Sequence, residues 1–174
     1  MADLQFMREE EKLARDVYLT LDEAWNLQVF TNIAQSEQKH MDAVLTLLDR
    51  YGIDDPAAGN GVGAFTDPEL QVLFDQLVVQ GSESMEGALR VGAAIEEIDI
   101  ADLMEATAQT NQTDILRVYE SLQRGSENHL RAFVRSLERQ TGARYEPQVL
   151  DQSIYDEIMA GAGGNGRRSR RPRW

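Results

Sequence analysis

A chain of 174 residues with 42% hydrophobic content is long enough to bury the core of one domain, and its lack of cysteine excludes disulfide frameworks, CxxC redox centres, thiolate metal sites and cysteine nucleophiles together. The formal charge of −13 understates the acidity of the body, because five of the seventeen basic residues lie in the last eight positions, Arg167 to Trp174, and without them the count is −18. So acidic a body repels phosphate, which argues against nucleic-acid binding by the folded part, and any metal must sit on carboxylates and imidazoles.

Helical periodicity dominates from the start. The spacing predicts a first helix over Asp3 to Trp25, with Leu4, Met7, Ala14, Val17, Tyr18 and Leu21 on one face. After a short link, a second helix runs from about Thr31 to Tyr51, carrying Ile33, Met41, Val44, Leu47 and Leu48, and stops at Gly52. The stretch DDPAAGNGVGAFTDPEL then reads as a connection, with Thr66-Asp67-Pro68-Glu69 as a helix start and a short helix over Pro68 to Gln80 inside the crossover. Two further long helices are expected over Ser84 to Ala108 and, entered through TNQTD, Asp114 to Gln140. Beyond Gly142 a strap leads to a short terminal helix with Leu150, Ile154 and Ile158 spaced to pack, and the Gly- and Arg-rich residues 161–174 are expected to be disordered.

These elements predict an all-α fold, a four-helix bundle of the ferritin-like kind spanning residues 1–160, with a long crossover between its second and third helices and a short C-terminal helix. No apolar run reaches the ~20 residues of a membrane span. The N-terminus MADLQFMREEEK has no signal-peptide core, so no membrane association and a cytoplasmic location are expected unless a leader has been removed. Pairing of two copies through exposed helix faces is a further expectation.

Charged residues on inward faces carry the functional reading, since a buried carboxylate is costly unless a cation or hydrogen bonds compensate it. In REEEKLARDVY, Glu11 shares the face of Met7, Ala14 and Tyr18, with Glu10 as its competitor. In SEQKH, Glu37 and His40 stand on the stripe Ile33, Met41, Val44 and Leu47, one turn apart. On the third long helix Glu96 and Asp99 point inward beside Gly92, whereas Glu97 drifts toward the edge. On the fourth, His129 and Ser126 lie with Leu122 and Phe133, and Glu127 points away. Both histidines of the chain thus face inward among acids, a donor set suited to divalent iron or manganese, whose bridging carboxylates let two ions sit together.

The stretches EEEKLARDVY, FTNIAQSEQKHMDAVLTLLDRYGIDDP, VGAAIEEIDIADL and GSENHLRAFVRSLE resemble the ferritin-like proteins grouped as the domain of unknown function 2202, over about residues 4 to 160. More distantly, the layout is similar to rubrerythrins and bacterioferritins, which bind two irons and perform ferroxidase or peroxidase chemistry. The resemblance implies Glu11 as the first-helix ligand and Tyr18 as the tyrosine behind the ligands. It further implies Glu37 and His40 as a Glu-x-x-His pair with Glu37 bridging, Glu96 and Asp99 as paired acids, and His129 as the fourth-helix histidine.

The pattern breaks at Ser126, where a glutamate is expected. Either Asp99 substitutes, or the centre holds a single metal, or it holds none. With no cysteine module, electrons for a small oxidant such as peroxide or dioxygen must come from elsewhere. The competing reading is a metal-free helical scaffold or partner-binding bundle whose inward acids pair with Arg15, Arg90 or Arg131.

Overall fold

The computed structural model describes residues 2–161, and no strand occurs among them. Six helices follow in order: α1 (Ala2–Trp25), α2 (Gln28–Tyr51), α3 (Pro68–Ser82), α4 (Met85–Gln109), α5 (Thr113–Thr141) and α6 (Gln152–Gly161). Every expected helix is present, with ends within three residues of the expected ones. No described helix is long and apolar enough to cross a membrane. Of the tail expected to be disordered, Gly161 closes α6 and the rest lies outside the described residues.

Short links fix the neighbours. Asn26, at φ 48, takes a left-handed conformation that asparagine tolerates, and with Leu27 it turns α1 directly into α2. The α2 helix ends at Gly52, at φ 64, and α3 opens on Asp67, whose side chain accepts from the amides of Glu69 and Leu70 ahead of Pro68.

Tyr18 of α1 meets Glu96 of α4, and Met7 clusters with Leu103 and Ala106, so these two helices run antiparallel. Phe30 meets Phe133 with ring centres 5.4 Å apart while Arg50 and Tyr51 bind Asp114, so α2 and α5 are antiparallel as well. With α1 and α2 also antiparallel, α2 and α4 run the same way. The chain must therefore travel back along the bundle, about 36 Å for a 24-residue helix, which residues 52–84 do. Within that return, α3 lies against α1 and α4.

The apolar core falls into two parts. One contains Ala14, Tyr18, Phe30, Ala34, Ile95, Leu130 and Phe133, the other Leu4, Met7, Val44, Leu103 and Leu122. On α1, α2 and α5 the residues between the two parts are polar and inward: Glu11, Glu37 with His40, and Ser126 with His129. A band of Glu96 and Asp99 on α4 completes this layer.

Glu97 corrects the expectation from the helical wheel. It is fully buried, because residues 143–150 cross that edge of α4 with their amides turned toward it. Its carboxylate accepts from Tyr145 OH at 2.6 Å and from the amides of Gln148, Val149 and Leu150 at 3.0, 2.8 and 2.8 Å. Arg131 donates to the Ile158 carbonyl at 2.7 Å and so ties α6 to α5.

Candidate metal centre

One turn from each of the four long helices builds the polar layer. Glu37 is at its middle: Oε2 lies 2.8 Å from His40 Nδ1 and Oε1 lies 2.7 Å from His129 Nδ1. His40 Nδ1 also approaches Glu11 Oε2 at 3.1 Å, and His129 Nδ1 approaches Glu96 Oε2 at 3.4 Å. Two trios result, Glu11–Glu37–His40 and Glu37–Glu96–His129, each with ligand atoms within 4.8 Å of one another. Glu37 belongs to both. The imidazoles stack across the layer with ring centres 5.4 Å apart and planes 25° from parallel.

The close approaches are not all hydrogen bonds. At 2.7 Å the Glu37–His129 contact is near enough but misaligned, so Glu37 Oε1 and His129 Nδ1 are both buried without a hydrogen-bond partner. Glu11 Oε1 and Asp99 Oδ1 are buried and unpartnered too. Each orphaned polar atom costs about 1–3 kcal/mol, more when charged, so four around one layer are expensive to leave unmet. Glu37 Oε1 and His129 Nδ1, which lie close together yet do not bond each other, have the geometry of ligands directed at a common third atom.

Electrostatics follow from the crowding. Burial, followed by the Asp99 charge, pushes the Glu11 carboxyl well above the usual carboxylate range. Burial and the Glu96 charge raise Asp99 to about 7. Glu96 is also raised, by burial first, against the opposing pull of His129. Burial would raise Glu37 as well, but its contacts with both imidazoles overcome this and hold it at about 2. Burial disfavours the imidazolium of His40, yet Glu11 and Glu37 raise it to about 11, and Glu96 and Glu37 likewise take His129 to about 10. In the metal-free protein protons on the histidines thus stand in for a cation.

Neighbouring residues set the orientation of the ligands. Tyr18 donates to Glu96 Oε1 at 2.6 Å, which leaves Oε2 turned toward His129. Burial and the Glu96 charge hold the Tyr18 phenol well above its usual range, so it stays a donor. His129 Nε2 meets Ser36 Oγ at 3.0 Å, fixing which ring nitrogen faces the layer. The Ser126 hydroxyl lies between Asp99 Oδ2 and the Leu122 carbonyl and shares its one proton between them.

The residues expected inward are all in this layer, but they do not act alike. Glu11, Glu37, His40, Glu96 and His129 form the trios. Asp99 is buried beside them, held by Ser126, and belongs to neither. Glu10, weighed against Glu11, is buried on the adjoining flank and faces Asp99 and Asp102. Gly92 does let a neighbour approach, and that neighbour is the Phe133 ring, which a Cβ there would meet at 2.5 Å.

Two contributors escaped the sequence reading. Ser36 had no signal, being a common helix-flank residue. Gly125 did have one, a glycine in the middle of a 29-residue helix. A Cβ at Gly125 would lie 2.6 Å from His40 Cε1 and Nε2, so only glycine lets the ring lie against α5.

The arrangement has relatives. The family model described as "Uncharacterized protein domain (DUF2202)" matches residues 1–162. The uncharacterized protein MJ0754 of Methanocaldococcus jannaschii is 51% identical over 160 residues, covering 92% of this chain and 86% of that protein. The crystal structure of hypothetical protein MJ0754 from Methanococcus jannaschii DSM 2661 is similar at a TM-score of 0.89 with 51% identity, covering 91% of this chain and 90% of that one. On the match along nearly its whole length, the chain belongs to the DUF2202 family.

Proposed function

We propose that the protein is a ferritin-like, non-haem di-metal protein, with iron as the favoured ion, that acts as an oxidoreductase on peroxide, dioxygen or ferrous iron. The observation that carries this reading is the pair of carboxylate–imidazole trios sharing Glu37, with Glu37 Oε1 and His129 Nδ1 side by side and unpartnered. Mixed oxygen and nitrogen donors suit ferrous iron and manganese, and one carboxylate with each oxygen beside a different histidine suits two ions better than one. An iron pair supplies one-electron redox steps and a place for a small oxygen species to bind.

The chain's own residues define the rest. Glu37 would serve both ions, with Glu11 and His40 holding one and Glu96 and His129 the other. Tyr18 orients Glu96 and keeps its phenolic proton there. The apolar residues on both sides of the layer exclude bulk water, which strengthens every electrostatic contact inside it. Ser126, in place of a glutamate, leaves the remaining carboxylate on α4 as Asp99, whose Oδ1 stays available.

In the metal-free scaffold reading the three arginines are engaged elsewhere, so the protonated histidines alone must balance the acids of the layer. Arg15 binds Asp16 and Gln38, Arg90 binds Glu86 and the Arg144 carbonyl, and Arg131 binds Ile158 and Asn128. The deciding experiment is metal analysis by plasma emission on protein purified without chelator and reloaded anaerobically with ferrous iron, together with anomalous scattering at the iron and manganese edges. Two ions per chain on either side of Glu37 are expected. A protein that still takes up less than a tenth of an ion after loading (~0.1 per chain, far below a site built at this depth) is a scaffold.

A further inference from the structure

Glu10 is the buried acid that the proposed chemistry leaves unused. It is 5% exposed, its Oε2 has no hydrogen-bond partner, and it lies near enough to Asp99 and Asp102 for both charges to act on it. Asp99 has its own unpartnered oxygen at the same depth. Asp102 in turn lines a cavity of about 170 Å³ between the first turns of α1 and the last turns of α4. The other acids at that cavity are Asp3 and the exposed Glu105; no lysine or arginine lines it.

The carboxylates therefore form a stepped line. Asp3, Glu105 and the half-buried Asp102 line the open cavity, Glu10 and Asp99 are buried behind Asp102 where they border a small apolar gap with Leu70 and Leu73, and Glu11 is at the centre. On α4 the acids follow at steps of three, residues 99, 102 and 105, which keeps them on one flank of the helix. Surface acids alone would be unremarkable on so acidic a chain. Two orphaned carboxylate oxygens nine-tenths buried behind them are not.

We propose that this line is the route by which a divalent cation leaves solvent and reaches the metal centre. The inference rests on the proposed centre and adds to it a path and a direction. An ion shedding water needs an oxygen ligand at every step, which the line provides. It must also not be trapped on the way. Glu10, Asp99 and Asp102 do not bring their ligand atoms together as a trio, in contrast to the two groups at the centre, so they hand an ion on rather than hold it. Apolar side chains at the mouth, Phe6, Met7 and Ala106, focus the field of the acids into the cavity.

The test is stopped-flow uptake of cobalt(II), read by its visible absorption, in the full chain with Glu10→Gln, Asp102→Asn and, as a control with the same loss of charge at an exposed distant site, Glu23→Gln. Both path variants are expected to slow uptake by about tenfold or more, within the range that electrostatic focusing commands, and to weaken its dependence on salt. The final spectrum and stoichiometry should equal wild type, and Glu23→Gln should behave as wild type throughout. Uptake at the wild-type rate in both path variants overturns the route and leaves the centre standing, with ions entering elsewhere. A changed final spectrum in Glu10→Gln overturns it by making Glu10 a ligand. Wild-type protein that takes up no cobalt overturns the centre and the route together. Should Glu10→Gln fold poorly, Asp102→Asn at its half-buried position decides alone.

Discussion

Helix α1 buries charge on two opposite sides, and the two sides are treated differently. Toward the crossover, Lys12 donates to Asp16 and to the Gly61 carbonyl and stands over the Phe65 ring. On that side Arg8 meets Asp55 through two contacts at 3.1 Å, Glu9 accepts from the amides of Thr66 and Asp67, and Asp16 accepts from Arg15 and the amide of Gly63. Toward the bundle interior, Glu10 and Glu11 meet other acids and two imidazoles and keep unpartnered oxygens. The first side pairs every oxygen of Glu9, Asp16 and Asp55, leaves only Arg8 Nη1 unpartnered, and fastens the return loop. The second does not, and the comparison separates buried charge that makes structure from buried charge left unmatched.

The largest expected effect is on the open side. Because Glu37 serves both trios, Glu37→Ala should abolish uptake of both ions, whereas Glu11→Ala and Glu96→Ala should each weaken one position. Emission analysis of the three variants side by side checks this. Equal partial losses in all three would mean that Glu37 is not shared.

On the closed side, Lys12→Met removes the one ammonium from a fully buried pair and leaves Asp16 with Arg15 and one amide. Breaking such a pair should destabilise the fold by about 3 kcal/mol, read by urea denaturation, with metal content per folded chain unchanged. A variant that instead lost metal while keeping stability would merge the two sides into one network.

How much of this contrast the sequence could reveal depended on what each residue's partners were. Glu11, Glu37, His40 and His129 stood on apolar stripes, so the 3.6-residue period alone found them. Glu9, Lys12 and Asp16 lie off that stripe and read as a wet surface. They are buried because a loop 49 residues further on folds over them, and such contacts leave no trace in local periodicity. Glu97 was misjudged for the same reason, its partners being the strap amides at 148–150. The helix ends were legible because Gly52, Asp67-Pro68 and Gly142 act locally.

A smaller effect comes from pH. Asp99, raised from 3.8 to about 7, contributes stability that is fully present below its unfolded value and is lost as pH rises through about 7. Glu11 and Glu96 are raised and act in the same direction. The histidines, raised from 6.5 to about 11 and about 10, begin to withdraw stability above about pH 6.5. Glu37, lowered to about 2, opposes them only below 4.5. The chelated protein should therefore melt at a lower temperature at about pH 8 than at about pH 5. Metal competes with those protons, so the loaded protein should gain what the chelated one loses. At a hundredfold excess over Kd the difference is about 2.7 kcal/mol, or roughly 5–10 °C for a domain of this size. Parallel melting curves with and without metal at the higher pH would remove the open side from the comparison.

The smallest effect is the most diagnostic, because its sign differs between the two sides. Burial and the Asp99 charge make the ionised form of Glu11 unfavourable in the metal-free protein, so Glu11→Gln, which mimics the protonated side chain, should stabilise the chelated fold by about 1 kcal/mol at alkaline pH. The gain should vanish as pH falls and the native carboxyl takes up its own proton. On the closed side, Glu9→Gln keeps the same shape but turns an NH2 donor against the amide of Thr66 or of Asp67, so one bond is lost and the fold should be destabilised by about 1–2 kcal/mol. Two isosteric changes two positions apart on one helix, with opposite signs in the same denaturation experiment, would mean that α1 divides a structural charge network from a ligand-binding one. The same sign in both would mean that it does not.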